Sequence, residues 1–213
     1  MSATATLWLL VVASGLYHGL NPGMGWPLAL SAGLWERRGS AVFAALVPLA
    51  AGHLAAMTLV LLPFAALAVV MDWSREIRVG AGLLVVAFGL WRLVDRRHPR
   101  FLARIPPARI ALWSFLVALA HGAGLMLVPV VLGLCTADPQ AGPAAAAAGN
   151  VAAALGVAVL HSLVMIAAGG ALAYAVYRWL GLKALSRTWF DLDAVWGASL
   201  VVSGAFGVWS GWH

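Results

Sequence analysis

The sequence predicts an all-α, polytopic integral membrane protein with six transmembrane helices, built as two inverted three-helix repeats. Three observations predict it: long apolar runs, the exclusion of charge from those runs, and an order of residues that recurs in the two halves. The 213 residues are 63% hydrophobic and 9% charged. A soluble domain carries about 25% charged residues. The carboxylates Glu36, Asp72, Glu76, Asp95, Asp138, Asp191 and Asp193 all lie between the apolar runs. A charge at mid-membrane costs several kcal/mol, so a hydrocarbon solvent imposes this segregation.

A span needs about 20 apolar residues. The runs cover 4–34, 41–70, 79–94, 108–134, 149–177 and 194–212. The first is too long for one straight span. Asn21-Pro22-Gly23 interrupts it before Trp26 and Pro27, which predicts a kinked or broken helix. No Lys or Arg precedes the first run, whereas a cleaved signal peptide carries a basic n-region. The first run therefore reads as a retained helix. The Ala-rich stretch 143–149 either extends the fifth span or forms an outer loop.

With six spans, loops one, three and five share a side. They hold Arg37 and Arg38; Arg92, Arg96, Arg97, Arg100, Arg104 and Arg109; and Arg178, Lys183 and Arg187. Only Arg75 and Arg78 fall on the other side. The positive-inside rule then makes those loops cytoplasmic and places both termini outside. The expected setting is a bacterial inner (cytoplasmic) membrane. Trp8, Trp35, Trp73, Trp91, Trp113, Trp179, Trp196, Trp209 and Trp212 lie near span ends, as an interfacial belt requires. Trp26, just past the Asn-Pro-Gly break, is the exception.

The net charge of +6 does not point to nucleic acid, because the basic residues sit in short loops between apolar spans. The expected partners are the lipid bilayer, anionic headgroups against the basic loop, and a metal ion. A homo-oligomer is compatible with the sequence. One cysteine, Cys135, excludes an internal disulfide.

The chain divides into a first three-helix repeat over 1–95, a basic cytoplasmic loop over 96–107 and a second repeat over 108–213. Residues 80–91 read GAGLLVVAFGLW and residues 197–209 read GASLVVSGAFGVW. His18-Gly19 precedes Pro27 in the first half, and His121-Gly122 precedes Pro129 in the second. His53 is followed by Met57, and His161 by Met165. Shared apolarity explains Leu and Val, but not this matched order. Three spans per half is an odd number, so the halves enter the membrane from opposite sides. Many secondary transporters use that architecture, with sites near midplane at broken helices.

His18, His53, His121 and His161 fall inside the apolar runs, and each is followed by a methionine: Met24, Met57, Met126 and Met165. The pairs His53/Met57 and His161/Met165 are spaced i,i+4 and share a helix face. Intramembrane ionisable residues mark function by default. Neutral imidazoles and thioethers suit a soft or borderline transition metal: Cu(I), then Ni(II), Co(II), Fe(II) or Zn(II). Hard Mg(II) or Ca(II) would want carboxylates, which are missing from the runs. Asn21 adds a side-chain oxygen beside the break. The metal-site candidates are therefore His18, His53, His121, His161, Asn21, Met24, Met57, Met126 and Met165. Ser14, Thr58 and Ser162 are set aside, because such hydroxyls usually bond their own backbone.

The segment His18-Gly19-Leu20-Asn21-Pro22-Gly23-Met24-Gly25 resembles the first-helix motif of the nickel/cobalt efflux (NicO-type) family, which runs roughly His-Ala-Leu-Glu-Pro-Gly-His-Ser. That family belongs to a wider group of six-span proteins with three-plus-three repeats, which includes amino-acid exporters. His18, Pro22 and Gly23 match the motif. The resemblance implies that His18 carries the metal-binding role of the family's first histidine. Asn21 stands where the family has an acidic residue and Met24 where it has a second histidine, so the resemblance implies a divergent relative with softer, uncharged ligands.

The expected function is transport of a transition-metal ion through an intramembrane His/Met site at the repeat interface. The alternative is a membrane b-type cytochrome with His-ligated haem. A zinc-assisted hydrolase is disfavoured, since no intramembrane Asp or Glu is available as a general base. An assembly or sensing protein that binds metal without moving it has the same signature.

Overall fold

The computed structural model describes residues 2–70, 109–135 and 143–179 continuously, with scattered helical positions between 79 and 94 and between 201 and 209. The third and sixth predicted spans, the Ala-Phe-Gly-x-Trp repeat and the basic loop 96–107 therefore lie largely outside the described residues. Those described are helical, with no strand among them. We label the helices α1 (Ala3–Leu20), α2 (Trp26–Glu36), α3 (Gly39–Val70), α4 (Ile110–His121), α5 (Ala123–Leu134) and α6 (Pro143–Trp179); a 3-10 turn, Pro22–Met24, joins α1 to α2.

Among the described residues, three helices are long and apolar enough to cross a membrane: Ala3–Leu20, Gly39–Ala66 and Ala144–Trp179. A fourth span results if α4 and α5, bent by 62° at their junction, are one broken helix. Less than half of each long span is buried inside the protein, at most 44%. Leu9, Leu16, Phe43, Val47, Leu59, Leu112, Leu116 and Leu163 are exposed apolar side chains on these helices. Such an outer surface fits hydrocarbon and would aggregate in water. Trp35 and Trp179, 90% and 84% exposed, stand at the ends of α2 and α6, beside Arg37 and Arg178. Both placements agree with an interfacial belt.

The first run is broken where Asn21-Pro22-Gly23 predicts it. Asn21 leaves the helix with extended backbone, and its Oδ1 accepts from the Gly23 N–H at 2.9 Å. Gly25, at φ 103°, then turns the chain into α2. Trp26, the outlier among the tryptophans, has a specific role here. Its indole Nε1 donates to the Leu20 carbonyl at 3.2 Å, satisfying a group that the broken helix would leave bare.

The second break was not foreseen. The fourth run is not continuous: α4 ends at His121, and Gly122, at φ 70°, starts α5. Residues with a side chain rarely adopt that left-handed conformation, so glycine permits the break. The fifth run is longer than expected. The Ala-rich stretch joins it, as its high helix propensity favours, and the helix runs from Pro143.

α3 and α6 form the central pair. α1 packs along α6 and α4 along α3, while α2 and α5 fill in against the same two helices. Gly19 makes the α1–α6 approach close, since a Cβ there would collide with the Met165 carbonyl and lie 2.8 Å from the Ala168 Cβ. The α3–α4 contact carries a polar clasp, Ser114 Oγ donating to the Leu49 carbonyl at 2.8 Å.

Two apolar cores result. One joins Leu28 and Leu30 of α2 to Val42, Leu46 and Leu49 of α3 and to Ala173 and Val176 of α6. The other joins Val11 of α1 to Met57 and Leu61 of α3, Leu127 and Val131 of α5, and Ala154 and Val157 of α6. On α3, His53 lies between the two sets. On α6, His161 and Met165 do. The polar residues therefore occupy the middle depth of the bundle, with apolar packing above and below.

Candidate functional site

Three of the four predicted histidines meet at that depth. His18 of α1, His53 of α3 and His161 of α6 are each 1% exposed or less. Their ring centroids are 4.7 Å apart for His18–His161, 5.5 Å for His53–His161 and 6.1 Å for His18–His53. Each histidine comes from a different helix, and the close α1–α6 packing at Gly15 and Gly19 brings the first to the third. His121 ends α4 beside the second break; its side chain lies outside the described residues.

The polar atoms around these rings show what each can do. His18 Nδ1 lies 2.9 Å from the Ser14 carbonyl, one turn back on α1. A ring nitrogen facing a carbonyl carries the proton, so the lone pair of the neutral ring is on Nε2. Second-shell bonds of this kind orient a metal-binding imidazole. His53 Nε2 and both ring nitrogens of His161 are buried with no hydrogen-bond partner among the described residues. The Val11 carbonyl lies near the His161 ring but outside hydrogen-bond geometry. Ser14 Oγ and Ser162 Oγ are likewise buried without partners.

Unsatisfied buried groups are uncommon and cost about 1–3 kcal/mol each. Five such atoms lie on the helices that carry the three rings: His53 Nε2, both ring nitrogens of His161, Ser14 Oγ and Ser162 Oγ. Ser14 and Ser162, set aside in the sequence as hydroxyls bonded to their own backbone, have no such partner among the described residues. Ser14 lies four residues before His18 on the same face of α1, whereas Ser162, next to His161 in sequence, points about 100° away from it on α6.

The other candidates separate. Met24, Met126 and Met165 are buried together in a small cluster, with Tyr17, Leu125 and Ile166 against it. Met57 does not join them. It packs in the main apolar core with Ala56, Leu61 and Ala65. Asn21 is buried, but its oxygen already caps the turn at Gly23. Asn21→Ala is expected to cost about 1 kcal/mol through loss of that cap, read as a lower melting temperature in detergent.

No family model matches the chain. No curated protein and no solved structure matches it either. The site therefore has to be read from its own chemistry.

Among the described residues, no three His, Cys, Asp or Glu side chains stand as a group that could hold a metal ion. The three ring centroids are close to equidistant from a point inside the His18–His53–His161 triangle. His53 and His161 are stacked nearly parallel, at 16°.

Proposed function

We propose that this chain is a membrane transporter of a transition-metal ion. The ion binds between His18, His53 and His161 at mid-depth, with His121 of the second break as a fourth candidate. The observation that carries the reading is the convergence of three buried imidazoles from three helices, with nitrogens of His53 and His161 that have no partner among the described residues. Neutral nitrogen donors without carboxylates favour Cu(I), Ni(II), Co(II), Fe(II) or Zn(II) over hard ions.

The packing supports the six-span, two-repeat architecture. Exchanging the halves exchanges α1 with α4 and α3 with α6. It therefore maps the α1–α6 contact onto the α4–α3 contact. Both first helices of the halves are also broken just after a histidine. In inverted-repeat transporters, sites lie at such broken helices and access alternates as one repeat rocks against the other. The likeness of residues 18–25 to the nickel/cobalt efflux motif points the same way. So do the charges: basic loops in the cytoplasm, both termini outside, in a bacterial inner membrane.

Haem is the weaker reading, for a geometric reason. A macrocycle bound between His18 and His53 would occupy the space beside both rings. His161 already lies there, 4.7 Å from one and 5.5 Å from the other.

Purified protein in proteoliposomes should move at least one of these ions faster than lipid alone. The variant with His18, His53, His121 and His161 all changed to alanine should fall to the lipid background. Equal flux through both would overturn the proposal.

A further inference from the structure

We propose that Met24, Met126 and Met165 form a second site, a thioether site for a soft monovalent cation of the Cu(I) or Ag(I) type. This deepens the transport reading and rests on it for the passage of the ion, but not for its binding.

Their convergence is the first observation. The three methionines come from separate segments: the 3-10 turn of the first break, the first turn of α5 after the second break, and the middle of α6. They are 5%, 6% and 2% exposed, and no other buried apolar residue among those described joins their cluster. Methionine is a common apolar filler. A filler role predicts methionines scattered among Leu and Val, as Met57 is.

Position relative to the histidines is the second. Met165 lies one turn beyond His161 on α6, a rise of about 6 Å along the helix. Tyr17 borders the thioethers, while its neighbour in sequence, His18, belongs to the imidazole layer; the two rings are 6.0 Å apart and perpendicular. Imidazole and thioether groups therefore form adjacent layers at mid-depth. Met24 and Met126 reach their layer from the two points where helical backbone is interrupted.

Charge selects the ion. Three thioethers are neutral and weakly basic, and the only carboxylate among the described residues, Glu36, is exposed and paired with Arg38 at the end of α2. The cost of burying an ion rises with the square of its charge, so a dication would be poorly repaid here. A soft monocation loses least on dehydration and gains most from sulfur. The adjacent imidazole layer accepts borderline ions, whereas the thioether layer discriminates for the soft ones.

The test uses purified full-length protein in detergent and Ag(I) alone as probe. X-ray absorption of the Ag(I)-loaded protein should show sulfur neighbours. Met24→Leu, Met126→Leu and Met165→Leu together nearly conserve volume. They should weaken Ag(I) binding by about a hundredfold while leaving Co(II) or Zn(II) affinity within about threefold. Met57→Leu should leave both unchanged. Nitrogen-only coordination of Ag(I), or unchanged Ag(I) affinity in the triple variant, would overturn the thioether site and leave the histidine site standing. If the triple variant does not fold, the absorption spectrum of the wild type still decides the matter. Loss of Co(II) and Zn(II) binding in the histidine variants, with sulfur-bound Ag(I) retained, would support two separate layers.

Discussion

His161→Leu is expected to make the protein more stable and to abolish metal movement. His161 is fully buried, and neither ring nitrogen has a hydrogen-bond partner among the described residues. A buried polar atom without a partner costs about 1–3 kcal/mol. Leucine removes two such atoms at similar volume, next to an apolar stretch that includes Val157 and Ala158. Stability should rise by about 1–3 kcal/mol, seen as a higher melting temperature in detergent. Metal flux should fall to background, because the ring that stands closest to both His18 and His53 is gone. A structural histidine gives the opposite pattern, with stability lost and flux retained. Proteins that keep a destabilising group at one site commonly do so for function.

Gly19→Leu is expected to damage both folding and binding. A Cβ at this position collides with the Met165 carbonyl and comes within 3.0 Å of the Gly169 amide nitrogen. Backbone atoms cannot step aside as a flexible side chain can. Overpacking of this kind costs about 1–3 kcal/mol, occasionally more. The consequence reaches the site, because the α1–α6 approach sets the 4.7 Å spacing of His18 and His161. Melting temperature and metal affinity should fall together. Gly149→Ala is the matched control. Nothing lies within 4 Å of a Cβ there, and the residue sits inside α6. Alanine should stabilise by about 0.5–1 kcal/mol through helix propensity and leave binding unchanged.

Much of the architecture is legible in the sequence because lipid permits so little. Backbone in lipid must close its own hydrogen bonds, so the length of an apolar run carries most of what the described helices bear out. The break after His18 is legible because proline and asparagine announce it. The break after His121 is not, since Gly122 looks like any glycine in an apolar run until its φ is known.

The histidines were identifiable by polarity alone. The methionines were not separable, because Met57 and Met165 bear the same i,i+4 relation to a histidine. Their difference is tertiary: Met57 meets the α5 side of the bundle, where the core is aliphatic, whereas Met165 meets the two breaks. Asn21 reads as a donor in sequence, but its oxygen serves the local turn. Ser14 and Ser162 read as self-bonded hydroxyls, yet neither Oγ has a partner among the described residues.

The central claim is that His18, His53 and His161 hold one transition-metal ion at mid-depth. The most direct measurement is metal content per chain after loading with Co(II) or Zn(II) and exhaustive desalting, in the wild type and in the variant with these three residues changed to alanine. The account predicts about one ion per wild-type chain, bound through imidazole nitrogen as histidine sites hold it, and none at this site in the variant. Equal metal content in the two proteins, or wild-type protein that retains none of these ions, would contradict it.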